Sequence, residues 1–247
     1  MSTVTEESHG PGLATRFFAG AAVVIVVTVG LSVALASRKA EGVARERIRG
    51  ELQRVPALFA GWRDSQMSAR RGQVRAIAEQ PGTKALLAER GGGLETAQDT
   101  ALEFARALGA GAVFLFDTHG SLIARTDRPR EEVGRDFSGI VWVSSPLSQL
   151  TEHSAFIAEV SRGPALSLVA SAPVLQGAGT ERVLNGVLAA AFRMDDERAR
   201  ELARLAGGEA AFLVNAAQRG AVPRLEVVGA TEAFRDPGLA QIGRAHV

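Results

Sequence analysis

The sequence predicts an α+β fold carried behind one transmembrane helix. A long N-terminal helix should lead into a five-stranded antiparallel sheet, followed by a partial second module. Three observations predict it. Phe17 to Ala36 is an uninterrupted apolar run, the next forty residues carry apolar positions at helical spacing, and short apolar runs separated by Gly-containing turns follow from residue 112.

The apolar run reads FFAGAAVVIVVTVGLSVALA and holds nothing more polar than Thr28 and Ser32. Twenty helical residues reach ~30 Å, the thickness of the hydrocarbon core of a bilayer. Arg16 closes one end, and Arg38 with Lys39 closes the other, so the span is assigned to 17–37 with a leader over 1–16. Ala34-Leu35-Ala36 also fits a signal-peptidase pattern. The run is long for a signal peptide, however, and the leader is poor in basic residues, which favours an uncleaved anchor. The far flank carries Arg38, Lys39, Arg45, Arg47, Arg49 and Arg54. Taken alone, the positive-inside rule puts the large domain in the cytoplasm.

Beyond the span, residues 38–108 read as a helical stalk and domain helices. Ile48, Leu52, Val55, Phe59 and Trp62 are spaced 4, 3, 4, 3, the seam of a helix that packs along its length. The seam suits packing on the domain, dimerisation, or both. Pro56 should kink this helix or start a second one. Pro81-Gly82 breaks the pattern, and Thr83 should cap a short helix running to Glu89. Leu94 to Leu108 is an amphipathic helix with Gly109 in the C-cap position.

Strands are expected at 112–116, 121–126, 155–161, 165–174 and 183–192, joined mainly by hairpins, with mixed loop and helix over 131–150. Asp117 to Gly120 is a turn with Gly where positive φ is needed. Asp195-Asp196 should cap a helix to Leu205, ended by Gly207-Gly208. A strand pair at 210–214 and 225–228 then repeats the earlier order, so 109–195 is read as one module and 196–240 as a linking helix with an incomplete second module. The final residues 241–247 break the preceding pattern and resemble a translated sequencing-adapter read. The true chain is therefore expected to end near Ala240.

Composition narrows function. The net charge of +1 points to no polyanionic partner. Only Lys39 and Lys84 among 28 basic residues are lysine, a bias of genome composition rather than of a nucleic-acid site. The chain has no cysteine, which excludes disulfides and thiolate metal sites. His9, His119, His153 and His246 lie in polar surroundings with no acidic partner at metal-ligand spacing. No nucleophile elbow or phosphate-cradling loop is present, so neither a catalytic residue, a metal nor a cofactor is predicted.

The segments FLFDTHGSLIARTD (114–127), VGRDFSG (133–139), ALSLVASAPV (165–174) and LNGVLAAAF (184–192) resemble, in order and spacing, the Cache family of PAS-like extracytoplasmic sensor domains. With the second strand pair, the double Cache form is the nearer match. The resemblance implies a PAS-like sheet with a pocket over one face and a role in binding a small molecule and signalling across the membrane. It places the large domain outside the membrane, against the count of flanking arginines. It also implies a homodimer through the N-terminal helix, and a longer receptor whose output is a histidine kinase, a nucleotide cyclase or a chemoreceptor signalling domain. Arg135, Asp136, Trp142, Ser144 and Arg162 are the candidate ligand-binding residues, since an Arg beside an aromatic suits a carboxylate-bearing or other anionic ligand. The competing reading makes Trp142 core and both arginines solvated. The tyrosine-rich amino-acid motif of double Cache receptors cannot be carried over, because the chain has no tyrosine. A membrane-anchored periplasmic enzyme and a structural coiled-coil protein remain as alternative functions.

Overall fold

In the first strand, Val113 and Leu115 turn to one face of a sheet while Phe114 and Phe116 turn to the other. That alternation is the period of two expected of a strand buried on both sides. The computed structural model describes residues 54–89, 93–159, 163–177, 181–216 and 224–232. The expected membrane span at 17–37, Ile48, Leu52 and the closing residues 241–247 lie outside the described residues. Among the described residues, no helix is long and apolar enough to cross a membrane.

Helix α1 runs over 54–78, α2 is Pro81–Ala88 and α3 is Leu94–Leu108. Strands β1 (Ala112–Phe116) and β2 (Leu122–Arg125) follow, then α4 (Val141–Gln149), β3 (His153–Glu159), β4 (Ala165–Gln176) and β5 (Val183–Arg193). The five strands form one antiparallel sheet, as the sequence predicts, in the order β2-β1-β5-β4-β3, in which the long-range pairing of β1 with β5 joins the hairpins. Helix α5 (Asp196–Ala206) leads to β6 (Ala211–Asn215) and β7 (Leu225–Ala230), which pair as a separate two-stranded sheet.

Helices α1, α2 and α3 cover the back of the main sheet. Val74, Leu86, Leu87, Ala101 and Phe104 pack there against Leu115, Ala170, Ala172, Leu188 and Ala190. The alanines on β4 and β5 let three helices approach closely. The front is covered by α4 and the segment before it. Trp142, Val143 and Phe137 pack on Phe114, Phe116, Val169, Val187 and Ala189. A third cluster joins Trp62 of α1 to Leu168, Met194, Ala199 and Phe212.

Several local expectations meet their structural reasons. Gly109 closes α3 at φ 60, and Gly120 turns the β1–β2 hairpin at φ 87, where an added Cβ would sit 2.9 Å from Ser138. Asp195 caps α5, accepting from the backbone N–H groups of Glu197 and Arg198. Thr83 does not cap α2. The helix starts at Pro81 with Gln80 before it, and Thr83 is fully buried, donating its hydroxyl to the Ile77 carbonyl at 2.7 Å. The proline supplies the helical φ by itself, which frees Thr83 to pin α2 to the end of α1. The expected seam also changes character at its end. Trp62 is only 5% exposed and stacks on Phe212 at 5.8 Å, so it faces the domain and not a partner. Phe59, one turn earlier, stays exposed.

Candidate functional site

The loop between β2 and α4 carries an ion-pair network beside the apolar packing of α4. Arg125 ends β2 on the front, its guanidinium 5.3 Å from the centre of the Phe114 ring. It donates through Nε and Nη2 to the two carboxylate oxygens of Asp127 at 2.9 and 2.8 Å, and through Nη1 to Glu132. Glu132 also takes Arg135, while Arg128 bridges Asp127 and Glu159. The network therefore runs from the loop after β2 to the end of β3. The Arg125 side chain is 7% exposed, and its hydrogen bond to Asp127 holds it even more firmly protonated than usual. Burial alone would raise the Asp127 carboxyl. The Arg125 hydrogen bond, with the charges of Arg125 and Arg128, outweighs that and holds it below the usual carboxylate value. Glu132 and Arg130 both take positive φ, an uncommon conformation for residues with a side chain.

Four of the five candidate residues lie on this cover, and each is already engaged. Arg135 is exposed, ion-paired to Glu132 and 5.5 Å from the Phe137 ring centre. Asp136 accepts from the backbone N–H of Ser138 at 2.7 Å, and that bond, with the Ser138 hydroxyl, lowers its pKa. Trp142 meets Phe116 at 5.6 Å and Phe114 at 5.8 Å, within the front aromatic cluster. The Ser144 hydroxyl donates to the Val141 carbonyl at 3.5 Å on its own helix. Arg162 lies outside the described residues. The cover brings the four together in one segment, but their polar groups do not converge on one cavity.

Beneath them, alternation along β4 puts Ser171 on the front, opposite Ala189. It is fully buried, and its hydroxyl has no hydrogen-bond partner among the described residues. Arg125 and Ser171 are the polar groups of this face that sequence reasoning missed. The legible signal for Arg125 is a strand ending Ala124-Arg125 with acids at 127 and 132; an isolated Ser in an apolar strand carries no such signal. Among the described residues, no group of three metal-ligating side chains comes together.

No protein-family model and no curated protein matches the chain. Several solved structures align with part of the chain. The sensor domain of the Vibrio cholerae histidine kinase DctB is 17% identical with a TM-score of 0.42, over 60% of this chain and 55% of that one. The Escherichia coli DcuS sensor domain is 15% identical with a TM-score of 0.43, over 59% of this chain and 97% of that one. The sensory domain of the Campylobacter jejuni chemoreceptor Tlp3 with isoleucine bound is 15% identical with a TM-score of 0.44, over 75% of this chain and 69% of that one. The chain spans about half the length of the DctB domain. Each of these structures is a sensor or sensory domain; at TM-scores below 0.5 the likeness assigns neither fold nor role to this chain.

Proposed function

We propose that this chain is the extracytoplasmic ligand-sensing region of a membrane-bound bacterial signalling receptor, built on a Cache-type module. The observation that carries this reading is the asymmetry of the main sheet. Its back is sealed by three helices, whereas its front is closed by one short helix and a loop held by the Arg125 network over an unpartnered buried Ser171 hydroxyl. An orphaned buried hydroxyl costs about 1–3 kcal/mol, which a bound ligand can recover. The ion-paired loop of this cover can exchange its pairs for ligand contacts in a way that the three packed helices of the back cannot.

In this reading the ligand is a small carboxylate-bearing or other anionic molecule. Arg135, Asp136, Trp142, Ser144 and Arg162 are its candidate contacts, and the first four exchange their present partners for it. The 17–37 segment anchors the chain in the inner membrane with the domain outside, and the stalk dimerises ahead of Trp62. The region itself binds rather than catalyses, and signalling output belongs to a further domain such as a histidine kinase or nucleotide cyclase. The test is a thermal-shift screen of small carboxylates and other anions on the 247-residue chain in uncharged detergent. Saturable stabilisation by one chemical class, reaching ~2.7 kcal/mol at a hundredfold excess over Kd and lost in Arg135→Ala, supports the reading. A screen without a saturable shift overturns it.

A further inference from the structure

A second site lies at the edge of the domain where α1 and α2 meet the end of α4 and the β4–β5 turn. A groove of about 710 Å3 opens where five separate segments meet. The end of α1 supplies Arg71 and Arg75, α2 supplies Lys84, the loop before β3 supplies Glu152, β4 supplies Pro173, and the β4–β5 turn supplies Arg182. With Glu79, four cations and two carboxylates line it, leaving it net positive.

The two carboxylates are already committed. Arg75 donates to Glu79 at 2.9 Å and to Glu152 at 3.3 Å, so one cation engages both acids. Arg71, Lys84 and Arg182 make no ion pair with any described residue. Arg71 sits one turn from Arg75 on the same face of α1, a like-charge spacing that mildly destabilises a helix unless an anion lies between the two.

The frame around these cations is built rather than incidental. The buried Asn185 side chain donates to the Lys84 carbonyl and to the Gln176 side chain, both at 3.2 Å, tying α2 to the paired ends of β4 and β5. Thr83 ties the same helix to α1. Gly177 turns the chain at φ 89, where a Cβ would meet the Glu181 carbonyl at 2.5 Å, and this turn brings Arg182 back to the groove. Leu150 stands in the left-handed region at φ 54 and leads into Thr151 and Glu152 on the opposite wall.

The geometry points to a binding site in this groove for a small polyanion bearing two or more phosphate or carboxylate groups. Its volume falls in the range of ordinary small-molecule sites. Two guanidinium forks and an ammonium around one space match several oxyanion groups better than a single charge. None of its four cations belongs to the front cover, and the groove meets that cover only at Leu150, the residue that ends α4.

The experiment measures binding of pyrophosphate and of citrate to the 247-residue chain by calorimetry at constant ionic strength, with Arg71→Ala, Lys84→Ala and the milder Lys84→Gln beside the wild type. Arg200→Ala, which removes an exposed cation from α5, controls for net charge. The expected result is saturable binding of at least one probe, weakened tenfold or more by each groove variant and little changed in Arg200→Ala. Melting temperatures without probe verify that the variants fold; should the alanine variants fail there, Lys84→Gln carries the comparison. Absence of saturable binding by both probes, or binding equally strong in the folded groove variants, overturns the site.

Discussion

Arg125 holds Asp127 in a two-pronged ion pair while its guanidinium lies 5.3 Å from the Phe114 ring centre. One side chain thus joins the end of β2 to the loop that covers the front of the sheet. Removing it leaves Asp127 and Glu132 partly buried without their main partner. Arg125→Met is expected to lower unfolding free energy by about 2–3 kcal/mol in urea titration, at the lower edge for buried pairs because both acids keep some solvent contact. Arg125→Lys should recover only part of this, since an ammonium cannot reproduce the fork.

The same pair makes stability depend on acid. The folded pKa of Asp127 lies below its unfolded value, near the usual 3.8, so its contribution is present in full above that value. It is lost as pH falls through the lower folded pKa. Asp136 acts in the same direction through its bond to the Ser138 N–H. Unfolding free energy is therefore expected to decline below about pH 4, and Asp127→Asn should flatten that decline while reducing stability at neutral pH. Denaturant titrations across pH 2–7 measure both effects.

Trp62 connects α1 to the second sheet through Phe212. Trp62→Ala is expected to cost about 3–5 kcal/mol. Hydrogen exchange should rise first at Phe212 and Val214, ahead of β4 and β5, because the small sheet has few other core contacts. Trp62→Phe should be milder, since the indole N–H has no described partner to lose.

Gly186 sits at φ 154 in β5, where an added Cβ would come 2.2 Å from the Phe116 carbonyl oxygen. Gly186→Ala must push β1 and β5 apart. A loss of more than about 2 kcal/mol is expected, in the range of overpacked cores. Gly61→Ala on α1, where no atom lies within 4 Å of the new Cβ, should be neutral or stabilising.

The proposed topology has its own reporters. Fused after residue 200, a periplasmic reporter should be active and a cytoplasmic one silent; the reverse places the domain inside. Single cysteines at Ile48 and Leu52 should crosslink between copies in the membrane, and a chain that fails to crosslink lacks the dimeric stalk.

Much of this protein was written in local chemistry. Gly109 ends a helix, Gly120 turns a hairpin, Asp195 caps α5, and near-continuous apolar runs mark β1 and β5; each acts within a few residues of itself, where a linear pattern can be read. The apolar run at 17–37 is a local pattern of the same kind, outside the described residues. What tertiary structure alone decided depends on distant partners. A 4-3 apolar spacing marks a stripe on α1 but not what covers it: Val55 and Phe59 stay exposed, while Trp62 turns inward onto Leu168, Met194 and Phe212, distant in sequence. Trp142 is likewise committed to Phe114 and Phe116 by the fold of the cover. Arg125 reads as an ordinary strand-end cation until Asp127 and Glu132 fold over it, and Arg71, Lys84 and Arg182 share a groove only because α1, α2 and the β4–β5 turn meet. Charge acts through space, and a sequence orders residues along the chain alone.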